Sequence, residues 1–166
     1  MKDVWLAVRS ITWALLLPGL VAFYVPWRFF GLSQVGFSPE APFQIVGFVL
    51  FIAGVAILAA CIWEFARSGK GTLSPADPPK ELVVQGLYRY VRNPMYLAVS
   101  LILLGEHLIA HSTPLFIYWA IWFTITNLFV IFHEEPSLRR QFGESYERYT
   151  REVGRWIPKK PSGAGR

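Results

Sequence analysis

The sequence predicts an all-α integral membrane protein with about four transmembrane helices, a cytoplasmic loop and an amphipathic C-terminal helix. Three observations lead there. The 166-residue chain is 54% hydrophobic and only 16% charged, with a mean hydropathy of +0.38, whereas a soluble domain carries about 25% charged residues. Two stretches, 43–63 and 115–132, contain no charged residue, and a hydrocarbon core takes roughly 20 residues of helix, about 17 at the lower end. The basic residues gather on one side of the spans so defined. The length suits one membrane domain, 1–166, rather than two substantial ones.

The elements follow in order. A first span covers 11–27, with Pro18-Gly19 near its middle as the expected kink. Asp3 and Arg9 interrupt the start and the apolar run continues toward Trp27, so this segment reads as a retained span rather than a cleaved leader. The second span is 43–63. Between 64 and 94, Gly69, Gly71, Pro75, Pro78, Pro79 and Gly86 predict a turning loop. The third span is 95–110, with Glu106 and His107 near its end, and His111-Ser-Thr-Pro114 then makes a tight antiparallel hairpin to the fourth, 115–132. In the tail, 133–166, Leu138, Phe142, Tyr146, Tyr149, Val153 and Trp156 recur at three- and four-residue spacing among Arg and Glu. That pattern predicts one amphipathic helix ending at Gly154 or Pro158, on the membrane surface or over the bundle as a cap.

Lys and Arg set the expected orientation. Fifteen of the sixteen lie before the first span, between the second and third, or after the fourth, and only Arg28 lies opposite. An even number of spans puts those three segments on one side, so the expectation is a multi-pass protein of the cell (inner) membrane with both termini cytoplasmic. The net charge of +5 then points to the anionic leaflet surface and away from nucleic acid. Cys61 is the sole cysteine, which excludes an internal disulfide and a cysteine-rich metal site. The spacing carries no information on oligomeric state.

Two clusters could carry chemistry. One is the run Gly86-Leu-Tyr-Arg-Tyr-Val-Arg-Asn-Pro-Met-Tyr96 at the cytoplasmic mouth of the third span; the other is His133-Glu134-Glu135 at the cytoplasmic end of the fourth. Hairpin partners bring the two to one membrane depth. The plain alternative is an interfacial aromatic belt and a solvated helix end. Gly69-Lys-Gly71 follows no strand, so a dinucleotide-binding fingerprint is absent.

The pattern Gly86-x-Tyr-x-x-x-Arg-Asn-Pro-x-Tyr96, with Glu134-Glu135-x-x-Leu138, Phe142-Gly143, Tyr146 and Tyr149, resembles the isoprenylcysteine carboxyl methyltransferase family and its phospholipid-methyltransferase relatives. Gly71-Thr72-x-x-Pro75 and Pro78-Pro79-x-x-Leu82-Val83 fit the same pattern, so the resemblance covers roughly 69–158. It implies methyl transfer from S-adenosylmethionine (SAM) to a lipophilic substrate met in the bilayer, without a metal. It also implies cofactor contacts from the Leu82-Val83 backbone, Tyr88, Asn93, Pro94, Met95, Tyr96 and Glu134, with Glu135 beside it, and places Arg92, Asn93 and Tyr96 at the reacting centre. The residue types suit such a ligand. Tyrosine faces are good neighbours for a sulfonium, Glu134 for the ammonium and ribose hydroxyls, and Arg92 or the helix start after Pro94 for the carboxylate.

Two positions depart from that pattern. Asn93 stands where family members commonly carry His, and an amide orients a partner but exchanges no proton near neutral pH. Val130 stands where prenylcysteine enzymes look to carry an Arg for the substrate carboxylate. Elsewhere, Glu106 near the outer turn reads as structural or interfacial, with a place in a substrate pocket as the alternative, and His107 with His111 share a helix face but lack a convincing third ligand for a metal. Phe116, Tyr118, Trp119, Trp122 and Phe123 read as lipid-facing or packing residues, with the lining of an apolar substrate tunnel as the alternative for some of them. The rival functions are a small transporter coupled through Glu106 and a non-catalytic relative acting as a membrane binding partner.

Overall fold

The computed structural model describes residues 16–30, 32, 42–68, 82 and 84–159. The expectations for Val83 and for the Gly69–Lys80 part of the loop, like the start of the first span, fall outside these residues. Four apolar helices dominate: α1 (Leu16–Phe29), α2 (Pro42–Ser68), α3 (Pro94–Ala110) and α4 (Thr113–Phe129). A wide turn at Val130–Glu134 continues α4 into α5 (Glu135–Phe142), and α6 (Glu144–Glu152) follows. Among the described residues there is no strand beyond an isolated parallel bridge between Val91 and Gly154.

Two helical stretches, Pro42–Glu64 and Thr113–Phe142, are long and apolar enough to cross a membrane, while Leu16–Phe29 and Pro94–Ala110 are apolar but shorter. In the two long ones only 22% and 17% of the most apolar window is buried within the protein. A soluble protein's core helix would be mostly buried, so these exposed apolar faces, with Val49, Ile52, Trp63, Ile121, Ile125 and Phe132 on them, match a hydrocarbon solvent.

α2 and α3 form the tightest pair, and glycine is the reason. A Cβ on Gly54 would lie 2.7 Å from the Ala98 carbonyl oxygen and 2.7 Å from Ile102 Cγ1, and one on Gly105 would lie 2.6 Å from the Gly47 carbonyl oxygen. Small residues let the backbones meet where lipid provides no hydrophobic drive between helices. Ala98, Val99, Ile102 and Leu103 of α3 fill the core with Leu58 of α2 and Ala22 of α1. α1 is tied on by the Tyr118 hydroxyl, which donates to the Val21 carbonyl at 3.1 Å; Tyr118 is thus a tethering residue as well as a packing one.

Both wide turns end immediately before a proline. In α1 the turn Leu20–Tyr24 closes with the Val25 amide bonded to the Leu20 carbonyl, and Pro26 follows; at the end of α4 the Glu135 amide bonds to the Val130 carbonyl, and Pro136 follows. A proline in mid-helix leaves the carbonyl four residues back without a donor and clashes with it. One extra residue in the preceding turn moves that carbonyl aside. The irregularity of the first span therefore lies one turn beyond Pro18-Gly19, where the sequence pattern had placed a kink.

The α3–α4 hairpin is as tight as its four residues require. His111 adopts the left-handed conformation (φ 49°, ψ 36°) with its amide on the His107 carbonyl, the Ser112 hydroxyl accepts from the Leu115 amide at 3.4 Å, and His107 Nδ1 is 2.9 Å from the Ser112 carbonyl. His107 closes a turn, and His111 is exposed. Two expectations are corrected. α2 continues past Trp63 to Ser68, so the loop starts later than residue 64. The single amphipathic tail helix is two helices broken at Gly143, whose φ of 52° and ψ of −125° suit glycine and few other residues. The predicted apolar face survives the break: Tyr146, Tyr149 and Val153 are buried against Leu82, Leu138 and Phe142.

Gly54→Ala is expected to lower stability by about 1–3 kcal/mol through overpacking, because the obstructing atom is backbone. Gly19→Ala, whose Cβ meets nothing within 4 Å, should be neutral or slightly stabilising. Thermal unfolding of both variants in detergent tests the contrast.

Candidate active site

The two polar clusters meet at one end of the bundle, joined by the segment after α6. Gly86 (φ 54°) opens a short 3₁₀ turn, Gly86–Arg89. A Cβ there would come within 2.8 Å of Glu64 Oε2, a side-chain end that can move aside, so it is the positive φ that favours glycine at this position. The chain then reaches Asn93 (φ −123°, ψ 57°), kept out of the helical region by the proline that follows, and Pro94 starts α3 where no amide donor is needed.

Residues 153–159 form a strap over this loop. The Arg92 amide donates to the Gly154 carbonyl at 2.9 Å and the Lys159 amide to the Tyr90 carbonyl at 2.8 Å. Asn93 is buried and its Nδ2 donates to the Arg155 carbonyl at 3.2 Å. The Tyr149 hydroxyl donates to the Tyr88 carbonyl at 2.7 Å. Burial pushes the phenols of Tyr88 and Tyr149 well above their ordinary range, the nearby Arg92 pulling Tyr149 partly back, so both remain protonated donors.

The wide turn at Val130–Glu134 places the adjacent carboxylates in different surroundings. Glu135 is buried under two guanidiniums: Arg155 binds it bidentately (Nε to Oε1 2.6 Å, Nη2 to Oε2 2.9 Å), and Arg92 Nη1 lies 3.2 Å from Oε1. The hydrogen bonds from Arg155 to Glu135 hold that guanidinium above its already high ordinary pKa. Glu134 faces α3 instead, where its Oε2 accepts from the Tyr96 hydroxyl at 3.2 Å. The Tyr96 ring in turn faces Trp156, which lies 6.4 Å from it and 5.2 Å from Phe123, with the indole N–H donating to Asn127 Oδ1 at 2.9 Å.

Tyr88, Arg92, Asn93, Pro94, Tyr96, Glu134 and Glu135 therefore come together as the sequence suggested they should. Leu82 sits slightly apart in the Tyr146–Tyr149 cluster, and Met95 packs on the bundle core. Glu135 is committed to Arg92 and Arg155, whereas Arg92 Nε is buried without a hydrogen-bond partner among the described residues. Sequence reasoning missed Arg155 and Asn127 and treated Trp156 only as part of a helix face. A lone amide inside the apolar 115–132 stretch was the available signal for Asn127; nothing local marks Arg155, whose partner is twenty residues away.

A model of the phospholipid methyltransferase family matches residues 43–145, more than half the chain. The chain belongs to the phospholipid methyltransferase family. This agrees with the resemblance read from the Gly86–Tyr149 pattern, and it makes the protein a member of a membrane methyltransferase family. An uncharacterized protein of Haemophilus influenzae is 36% identical over 63 residues, which is 38% of this chain and 100% of that protein. No solved structure matches. The family match includes both polar clusters but stops at 145, before the strap.

Breaking the buried ion triad should loosen the site. Glu135→Ala is expected to cost about 3–5 kcal/mol, since it leaves two guanidiniums without their counter-ion, and to raise hydrogen exchange first in residues 153–159. Tyr149→Phe should cost about 1–3 kcal/mol by stranding the Tyr88 carbonyl. Denaturation and exchange mass spectrometry in detergent read both effects.

Proposed function

We propose that this protein is a SAM-dependent methyltransferase acting on a lipophilic acceptor that reaches the Tyr96–Glu134 end of the bundle from the bilayer. The observation that carries the reading is the inequality of the two carboxylates. Glu135 is fully engaged, while Glu134 accepts only the Tyr96 phenol among the hydrogen bonds described and retains lone pairs for an ammonium or ribose hydroxyl. Arg92 Nε, a buried donor without a partner among the described residues, is complementary to the cofactor's carboxylate. These residues fit SAM, which when bound would supply a methyl group on a positively charged sulfur.

The chain's own part is alignment and exclusion of water. Glu134 and Arg92 hold opposite charges of the amino-acid end. Tyr88 and Tyr96 offer aromatic faces to positive charge, and the strap with Trp156 closes the side toward water. Asn93 acts by position: its amide fastens the strap and cannot serve as a base, which suits an acceptor that needs none. Among described residues, both site arginines already face Glu135, and Val130 is buried and apolar. That favours a neutral lipid amine over a carboxylate acceptor.

We further read the four apolar helices as four crossings with both termini cytoplasmic, on the distribution of Lys and Arg. Reporter fusions placed after residue 166 and in the 64–94 loop should report the same, cytoplasmic side; opposite sides would overturn the four-span arrangement. Calorimetric titration of folded, detergent-solubilised protein with SAM or its demethylated product should show binding, weakened about tenfold or more by Glu134→Gln, and not by Glu106→Gln. No binding to a folded sample sinks the enzyme reading, and equal losses would put the site at the wrong end.

A further inference from the structure

The opposite end of α3 holds a second carboxylate in quite different company. Glu106 is only 5% exposed, and its Oε2 is buried with no hydrogen-bond partner among the described residues. It lines a cavity of about 550 Å³ between α1, α2 and α3 whose walls include Phe23, Tyr24, Trp27, Phe48 and Phe51. The nearest described cation on that side in sequence, Arg28, lies over the Phe29 ring at 5.4 Å. The expectation that Glu106 sits cheaply at an interface is thus replaced by a buried carboxylate in an aromatic cavity.

A carboxylate buried without a counter-ion is costly, and in a membrane segment such a group usually marks a ligand or ion path. Aromatic side chains around a single carboxyl group suit one ligand chemistry above others: a weakly hydrated ammonium, which would draw the carboxyl into its charged form and lie against the rings. The open apolar walls give its hydrocarbon part a place to lie. We propose that the Glu106 cavity binds a lipophilic ammonium ion, at a site separate from methyl transfer. Glu106 and Tyr96 are ten residues apart on one helix, about 15 Å at 1.5 Å per residue. Methyl transfer requires reacting atoms within about 3–3.5 Å, so an ammonium in this cavity is not in the reacting position.

The test uses full-length protein in nanodiscs of a neutral galactolipid, which carries no ammonium of its own. Octyltrimethylammonium is the probe, and its neutral isostere with carbon in place of nitrogen is the control. Saturable probe binding above empty discs is expected, with the isostere at least tenfold weaker on the same wild-type protein. Glu106→Gln should lose about tenfold, Glu106→Asp should recover part of it, and Glu134→Gln should lose clearly less than Glu106→Gln. Equal affinity for probe and isostere would reduce the cavity to an apolar crevice and overturn the proposal. So would wild-type binding by Glu106→Gln, a loss in Glu134→Gln equal to that in Glu106→Gln, or no saturable binding. None of these outcomes depends on SAM binding, so this proposal and the methyltransferase reading fail independently.

Discussion

The buried carboxylate of Glu135, held between Arg92 and Arg155, joins three segments that are distant in sequence: the loop before α3, the turn after α4, and the strap after α6. Burying charge is worthwhile only where geometry and extra hydrogen bonds offset desolvation. Here the bidentate Arg155 contact and the Tyr146 hydroxyl near Arg92 supply them. An apolar replacement could hold the same segments as firmly, but it would not fix their register. The ion triad does, because a guanidinium fork meets a carboxylate in few orientations. Glu134 inherits its position from this arrangement: with its neighbour pinned toward the strap, it is turned toward Tyr96.

The wide turn at Val130–Glu134 makes that division possible. A regular helix running into Pro136 would strand the Phe132 carbonyl and set the two glutamates about 100° apart with no freedom to adjust. The extra residue resolves the proline conflict and re-aims the pair in one step. The same solution before Pro26 in α1 lies away from the Glu135 triad, which argues that the turn is first a consequence of proline in an apolar helix. Its use in the site is built on that consequence.

Much of this was legible in the sequence, and the parts that were not share a cause. Uncharged runs gave the apolar helices, His111-Ser-Thr-Pro114 gave the hairpin, and Asn93-Pro94 with Glu134-Glu135 marked the ends that meet. These signals are local: hydropathy, turn chemistry and the constraint before proline act within a few residues. The strap was read instead as the last turns of a helix. Its pairing of Gly154 with Arg92 and of Arg155 with Asn93 spans some sixty positions, and periodicity carries no information at that range. Gly143 was visible as a residue but not as a break, because an amphipathic pattern continues in phase across it. Glu106 was misjudged for a related reason. Its distance from the helix end suggested an interface, but α1 packs alongside and encloses it.

Three of the carboxylates on the described helices, Glu135, Glu134 and Glu106, form a series. Glu135 is met by two cations, Glu134 by one phenol, and Glu106 by nothing among the described residues. Stability alone would favour the first condition everywhere, since each unmet buried acceptor costs free energy that folding must recover elsewhere. Unsatisfied groups that persist are therefore the places where a ligand can supply the missing partner. By that reasoning Glu135 belongs to the scaffold, and Glu134 to a site whose charge is partly reserved for a ligand. Glu106 belongs to the cavity proposed to take an ammonium ion. The aromatic residues divide in the same way. Trp156 is fastened by Asn127 and serves as a fixed wall, while Trp27 and Tyr24 stand beside an open cavity and remain available to a cation.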